Sequence, residues 1–267
     1  MKKSILGFVA AGALIAGPAM AADLSLPVKA PYAPPPAASW TGCDINGGVG
    51  YGMYNTDSFS ENSTTLVPIG TSVTNGGRGW LGRVGGGCDY QFGVGSLGNF
   101  VAGAFADYDF MNLSGTFGDP SGPVTGAENE RGAWYAGGRL GYLVTPSLLT
   151  YVDGGYTQTN FSSINFLTPL AHAVPTDLAL AAHTYNGWFI GGGAEYALNM
   201  PWLPIRGLFW RLEYRFSQYQ SADVPILLTV PPGGPFGVSE HVSPYVETIT
   251  SSLVWRFNFG GPLAMRY

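Results

Sequence analysis

The chain has 267 residues, of which only 11% are charged and 46% are hydrophobic, with 40 glycines and a formal net charge of −5. In a soluble domain about a quarter of the residues are normally charged, so this composition excludes an ordinary cytosolic enzyme. The hydrophobic content excludes a disordered chain. The sole long apolar run lies at the N-terminus, whereas every helix of a membrane bundle needs about 20 apolar residues. A membrane β-barrel is the main class that remains.

The first 21 residues have the parts of a secretory signal peptide. Lys2 and Lys3 form a basic start, residues 5–16 are apolar but too short to span a bilayer, and 19–21 read Ala-Met-Ala, a cleavage site of small residues. We expect residues 1–21 to be removed on export. The mature chain then has 10 basic and 17 acidic residues and no basic patch, so no nucleic-acid partner is expected.

A proline-rich segment follows the cleavage site. Residues 27–39 read PVKAPYAPPPAAS, a composition that favours an extended chain over a packed core. We therefore predict a periplasmic linker over 22–39 and a barrel over 40–267.

From residue 40 onward, apolar and polar residues alternate with a period of two, in segments of the length that a tilted membrane strand needs. Leu208, Trp210 and Leu212, for example, alternate with Arg211 and Glu213. Eight such segments are predicted, at 41–53, 79–92, 99–110, 132–144, 148–160 and around 188–198, 208–216 and 248–259.

The predicted connections alternate between short and long. The short ones are 93–98, 145–147 and 199–205, and the long ones, rich in Ser, Thr, Gly and Pro, are 54–78, 111–131, 161–184 and 220–245. This layout is typical of an outer-membrane barrel with short periplasmic turns and long extracellular loops. The prediction is an all-β, eight-stranded, antiparallel up-and-down transmembrane barrel with both termini in the periplasm. A secreted β-sandwich is the rival, but its outer faces should carry lysine, and the predicted strands have none.

Several motifs resemble one family. WTGCDINGGVGYG at 40–52, GRLGYLVTPSLLTYVDGGY at 138–156 and the closing LVWRFNF at 253–259 resemble the small outer-membrane immunogenic proteins of the alphaproteobacterial porin family, relatives of the OmpA-type eight-stranded barrel. The resemblance implies an outer-membrane location and a terminal aromatic signal for barrel assembly, here Trp255, Phe257 and Phe259. GGPLAMRY follows at 260–267, so the signal is either internal or completed by Tyr267.

Twelve charged residues are predicted to face the lumen, which in an eight-stranded barrel is only wide enough for side chains. They are Asp44, Arg83, Asp89, Asp107, Asp109, Arg139, Asp153, Glu195, Arg211, Glu213, Arg215 and Arg256. The predicted turns place Arg139 opposite Asp153, and Arg83 opposite Asp107 or Asp109. We expect paired charges to plug the lumen; the alternative is a narrow ion path lined by the same residues.

The two cysteines, Cys43 and Cys88, are predicted on the outer face near the periplasmic ends of the first two strands. If the first two strands pair positions whose residue numbers add up to 131, the two cysteines lie directly opposite each other. They are then within reach of a disulfide. Export to an oxidising compartment permits the bond. Two free thiols acting as small apolar residues are the alternative.

No catalytic or metal site is predicted, and no cofactor is expected. The three histidines, His172, His183 and His241, lie in or beside predicted external loops, and Ser239-Glu240-His241 are sequence neighbours without the geometry of a triad. Some relatives in the resembled family are reported to bind haem, so a surface haem site is a further alternative.

The predicted role is structural, supporting the envelope and presenting external loops, with passive permeation of small solutes as the runner-up. The expected partners are outer-membrane lipid, lipopolysaccharide and the barrel-assembly machinery, and the expected state is a monomer.

Overall fold

A computed structural model describes residues 39–168, 173–198 and 205–257. The signal peptide, nearly all of the linker, Phe259 and the end of the chain lie outside these residues. No helix in the described ranges is long and apolar enough to cross a bilayer. The described strands are β1 (Gly42–Asn62), β2 (Pro68–Gly93), β3 (Asn99–Gly118), β4 (Thr125–Thr145), β5 (Leu148–Phe161), β6 (Ile164–Leu167), β7 (Pro175–Leu180), β8 (His183–Ala197), β9 (Leu208–Tyr219), β10 (Ala222–Leu228) and β11 (Gly234–Phe257).

Eight of the described strands close into an antiparallel ring. Their order is β1-β2-β3-β4-β5-β8-β9-β11, and β11 pairs back onto β1. Following paired positions around the ring from Asp44 returns to β1 at Tyr54, an offset of ten residues. Such a stagger tilts the strands and leaves an interior that side chains can fill. The predicted all-β antiparallel barrel is confirmed.

The three remaining strands lengthen this ring at the end away from the short turns. β5 continues as β6 after residues 162–163, β8 is preceded by β7 across 181–182, and β9 continues as β10 after 220–221. β6, β7 and β10 pair in the order β4-β6-β7-β10-β11. The barrel wall is therefore continued beyond the breaks by strands in the same circular order.

This extension corrects the predicted length of the external loops. Much of 54–78, 111–131, 161–184 and 220–245 is strand, and the connections at this end that lie wholly within the described residues are 63–67, 119–124 and 229–233. We call this end the extracellular end and the opposite one the periplasmic end, in keeping with the predicted topology. The external part of the chain is thus a continuation of the barrel with short apical turns.

The outer face carries two rings of aromatic side chains. Nearer the short turns are Tyr90, Phe92, Phe100, Tyr142, Tyr196, Trp210 and Trp255, and nearer the extracellular end are Tyr51, Trp80, Tyr108, Trp134, Tyr156, Trp188 and Phe216. Between the rings the described outer face is uncharged and exposes apolar residues such as Val49 at 64% and Val152 at 62%. Two aromatic girdles around an apolar band are the pattern of a lipid-facing barrel wall.

Beyond the extracellular girdle the exposed surface includes polar and charged residues such as Asn55, Asp57, Arg78 and Arg131, together with exposed apolar ones such as Phe236. β1 has 21 residues, so a tilt of about 40° gives it a height of roughly 50 Å. The apolar band of such barrels is about 25 Å tall. About half of the wall therefore stands outside the membrane.

Candidate functional site in the barrel lumen

The periplasmic half of the lumen holds three guanidinium groups and three carboxylates. These residues are Arg139, Arg211, Arg256, Asp44, Asp89 and Glu195, each at most 6% exposed. Arg139 Nε donates to Asp89 Oδ1 at 2.7 Å, and Arg256 Nη1 donates to Asp89 Oδ2 at 2.6 Å. Arg211 Nε and Arg256 Nη2 both donate to Glu195, at 2.9 Å. With equal numbers of opposite charges, this group is electrically balanced.

A second charged group lies towards the middle of the barrel. It comprises Arg83, Arg215, Asp107, Asp109, Asp153 and Glu213, all buried. Arg83 holds Asp109 through two hydrogen bonds, at 2.6 and 2.7 Å, and reaches Glu213 at 2.5 Å. Arg215 Nη2 donates to Asp107 at 2.6 Å. The carboxylates outnumber the guanidiniums by four to two, and neutral donors supply further hydrogen bonds, since Tyr151 Oη donates to Glu213 at 2.6 Å and Asn46 Nδ2 to Asp107 at 3.2 Å.

Several of these contacts cross the lumen. Arg83 on β2 reaches Glu213 on β9, and Arg139 on β4 reaches Asp44 on β1 at 3.0 Å, although neither pair of strands is adjacent in the ring. Glycines on the inner face make room for the groups: a Cβ at Gly85 would lie 1.9 Å from Asp107 Oδ1, and one at Gly103 would lie 1.9 Å from Asp89 Oδ1. The ion pairs therefore link separate parts of the wall.

The structure brings together all twelve of the charged residues predicted for the lumen, and it confirms the predicted register of Arg139 and Asp153 but not an ion pair between them. Arg139 and Asp153 are opposite each other in the β4–β5 register. The Arg139 guanidinium nevertheless contacts Asp89 and Asp44, while Asp153 lies 3.5 Å from Arg215 Nε. An arginine side chain is long enough to leave its own cross-strand position. For Arg83, where the sequence left two partners open, the register and the ion pair both select Asp109.

Above the charged groups the lumen is filled by apolar and aromatic side chains. Arg215 marks the boundary, because its guanidinium carbon lies 4.9 Å from the ring centre of Phe105, 5.0 Å from that of Tyr135 and 5.2 Å from that of Phe189. Such cation–π contacts are favourable where the cation is desolvated. The buried apolar layer also includes Tyr54, Leu113, Phe117, Phe161, Ile164, Phe166, Tyr185, Ile226, Val242 and Val246.

At the periplasmic end of the lumen lies Trp40, which precedes β1 and is fully buried. Its indole packs on Phe209 at 4.8 Å and donates from Nε1 to the Pro146 carbonyl at 3.2 Å. Arg256 donates to the Trp40 carbonyl at 2.6 Å and lies over its ring at 5.4 Å. Trp40 therefore connects a short periplasmic turn with the charged group above it.

Buried carboxylates also line the extracellular extension, beyond the lipid-facing band. Burial raises the pKa of Glu130 to about 8 and that of Glu128 to about 7, although hydrogen bonds from Thr159 and Thr56 favour the ionised forms. Burial likewise raises the pKa of Glu240 to about 7. These groups are therefore partly or mostly protonated near neutral pH.

The other predicted residues lie on or near the outer wall. Cys43 and Cys88 are paired in register and joined by a disulfide with an Sγ–Sγ distance of 2.05 Å. Trp255 and Phe257 of the predicted assembly signal lie at the periplasmic end of β11, where Trp255 faces outward and is 48% exposed.

The structure places the sequence neighbours of His241 apart from its imidazole. His241 lies on the outer face, its Nδ1 2.6 Å from Asp223 Oδ1, whereas its sequence neighbour Glu240 is buried and accepts a hydrogen bond from Ser60 at 2.5 Å. His183 packs against Tyr185 at the start of β8, and His172 lies outside the described residues. The Ser239-Glu240-His241 sequence therefore does not form a triad.

Sequence reasoning missed Trp40, the apolar layer and the buried carboxylates of the extension. For the apolar layer a signal existed in one segment, since Met111, Leu113 and Phe117 continue the period of two into residues assigned to a loop. On β1 the inward Thr56 and Ser58 alternate with the outward Asn55 and Asp57. Both faces of β1 are polar there, so the sequence shows no alternation between apolar and polar residues that would indicate a strand.

Comparisons with known proteins support the barrel fold. Residues 8–257 match the family described as outer membrane protein beta-barrel domain. The 31 kDa outer-membrane immunogenic protein of Brucella melitensis is 32% identical over 210 residues, which cover 76% of this chain and 83% of that protein.

Two solved structures resemble the chain at low identity. The solid-state NMR structure of the outer membrane protein AlkL is 13% identical, with a TM-score of 0.43 and coverage of 88% of this chain and 98% of that one. The outer membrane protease OmpT from Escherichia coli is 9% identical, with a TM-score of 0.42 and coverage of 81% and 97%. Neither likeness is close enough to bear on activity.

Proposed function

The chain belongs to the outer membrane protein β-barrel family, and from this premise we propose that it is a closed, non-catalytic barrel with a structural and surface role. Its location is the outer membrane. The observation that carries the proposal is the filling of the lumen, from Trp40 at the periplasmic mouth, through the two charged groups, to the apolar layer above them.

The layers support a closed lumen because side-chain contacts connect each layer to the next. Arg256 contacts both Trp40 and Asp89, so the mouth and the first charged group are connected. Arg215 contacts Asp107 and three aromatic rings, so the second charged group and the apolar layer are connected as well. Opening a path for solutes requires breaking buried ion pairs, which leaves uncompensated charges.

The charged groups taken alone would suit the alternative, a narrow passive path for small ions. An ion following that path would next enter the layer of Tyr135, Phe189 and Leu113, where buried apolar side chains cannot replace its hydration shell. We therefore favour the closed barrel over the narrow pore.

The wall beyond the extracellular girdle supports the surface role. Its exposed residues include charged and polar side chains such as Asp57, Arg78 and Arg131, and its apical turns at 63–67, 119–124 and 229–233 are short. The relative from Brucella melitensis is named an immunogenic outer-membrane protein. We propose that this chain likewise presents its extension and apical turns at the cell surface, on a wall that holds them in place.

Liposome swelling separates the two candidate functions. Vesicles containing the folded protein are diluted into isotonic solutions of a small sugar or amino acid, with protein-free vesicles and vesicles containing an open porin as controls. The closed barrel predicts swelling equal to that of protein-free vesicles. Swelling that is fast and falls with solute size would overturn it in favour of the pore.

The structural role has its own test in the source organism. Deleting the gene is expected to increase sensitivity to detergent, and the wild-type gene should restore resistance. The double variant Arg83→Met/Asp109→Leu, which alters the lumen and leaves the outer wall unchanged, should restore resistance too. Full detergent resistance in the deletion strain would contradict an envelope role.

A further inference from the structure

Three polar side chains from three neighbouring strands meet on the outer face of the extracellular extension. Glu61 lies on β1, Asp223 on β10 and His241 on β11. One potential ligand atom from each lies within 4.8 Å of the other two. Asp223 is directly opposite His241 in the β10–β11 register, and Phe59 is directly opposite His241 in the β1–β11 register. The strand pairing itself therefore brings these groups together.

The imidazole of His241 is fixed on both sides. Its Nδ1 lies 2.6 Å from Asp223 Oδ1, and its ring stacks on that of Phe59, with centres 4.8 Å apart and planes inclined by 23°. The side chains of His241 and Asp223 are 32% and 44% exposed. An ion arriving from outside the cell can therefore reach a preoriented nitrogen and a carboxylate.

Glu61 has one buried carboxyl oxygen, Oε1, without a hydrogen-bond partner among the described residues. The residue as a whole is only 5% exposed. Two carboxylates in contact repel each other when both are ionised, and a bound cation relieves that repulsion.

The donor set indicates the kind of cation. Calcium and magnesium are bound by oxygen atoms, so an imidazole among the ligands disfavours them. Zinc accepts imidazole nitrogen and carboxylate oxygen together, and three protein ligands leave a fourth position for water. The same ligands suit other divalent first-row transition metals.

We propose that Glu61, Asp223 and His241 bind one divalent transition-metal ion of the zinc type on the extracellular surface of the barrel. The ion joins β1, β11 and β10 across the outer wall near the apical turns at 63–67 and 229–233. The site is separate from the lumen and does not depend on whether the lumen is closed.

The test uses the full mature chain, refolded in detergent without an oligohistidine tag. Zinc is titrated by calorimetry in competition with a chromophoric chelator, for the wild type and for Glu61→Gln, Asp223→Asn and His241→Gln. The matched control is Glu240→Gln, which changes the residue next to His241 but faces the lumen. Heat-modifiable gel mobility establishes that each variant is folded.

The expected result is one zinc ion per chain, bound at least about ten-fold more weakly by each of the three site variants and unchanged in Glu240→Gln. Cobalt should bind with a visible d–d absorption that His241→Gln abolishes. The proposal is overturned if the folded wild type binds no stoichiometric zinc or if Glu240→Gln weakens binding as much as the site variants do. Binding that depends on His241 alone would refute the three-ligand site.

Discussion

Replacing Arg83 with methionine tests whether the ion pairs that cross the lumen stabilise the barrel. Arg83 is 3% exposed, donates twice to Asp109 and once to Glu213, and also contacts Thr250 Oγ1 at 3.1 Å. Methionine retains much of the apolar stem and removes the charge. Because Glu213 retains Arg215 at 2.7 Å and Tyr151 at 2.6 Å, the main loss falls on Asp109.

The magnitude follows from the environment of Asp109. Its side chain is fully buried. Among the described residues, Arg83 is the one cation within ion-pair distance of the Asp109 carboxylate. Removing one partner of a buried pair costs about 3–5 kcal/mol, because the other charge is left uncompensated. Arg83→Met should lower the free energy of unfolding by that amount. Arg83→Met/Asp109→Leu, which removes both charges, should recover at least about half of the loss.

Urea-induced unfolding in lipid vesicles measures these differences, followed by tryptophan fluorescence and by heat-modifiable gel mobility. Arg78→Met is the matched control, since Arg78 lies on the same strand but is exposed on the outer face. It should change the free energy of unfolding by no more than about 0.5 kcal/mol. A stabilising role for the Arg83–Asp109 ion pair is contradicted if Arg83→Met unfolds at the same urea concentration as Arg78→Met, or if the double variant is no more stable than Arg83→Met alone.

The same unfolding assay checks three further predictions. Removing the disulfide with Cys43→Ser/Cys88→Ser should cost about 4 kcal/mol, because the bond closes a loop with a sequence separation of 45; equal stability with and without the bond would contradict this. The pKa of Glu130 is raised to about 8 in the folded protein, so stability should fall as pH rises from about 4.5 to about 8, since the unfolded chain loses this proton first. Glu130→Gln should reduce that dependence, and an unchanged pH profile would disprove the assignment. Asp153→Asn should cost less than the about 3–5 kcal/mol expected for Arg139→Met, and equal losses would favour the pair suggested by the sequence.

The membrane-spanning part of the fold could be predicted because lipid imposes a strong contrast between the two faces of each strand. Leu208, Trp210 and Leu212 face outward, while Arg211 and Glu213 face inward, and the two sets differ in kind. Beyond the girdle, water surrounds the wall, so that contrast disappears. Tyr54, Thr56 and Ser58 face inward between Asn55 and Asp57, and such a segment is read from sequence as a polar loop.

The lumen residues could be identified by parity, but their contacts could not. Parity and register place neighbours along the wall, as they do for Arg83 and Asp109. The side chains that an arginine can reach across the interior depend on the stagger of the whole ring. That stagger can be worked out only when all eight strand pairings are known. Arg139 therefore contacts Asp44, three strands away, rather than the opposed Asp153.

Single-channel recording in planar lipid bilayers tests the closed lumen most directly. The folded wild-type barrel should give no steady conductance, because Trp40, the ion pairs and the apolar layer occupy its interior. Preparations whose folding is established by heat-modifiable mobility should give the same trace as protein-free bilayers. Steady conductance steps that scale with the amount of folded protein would contradict the closed barrel.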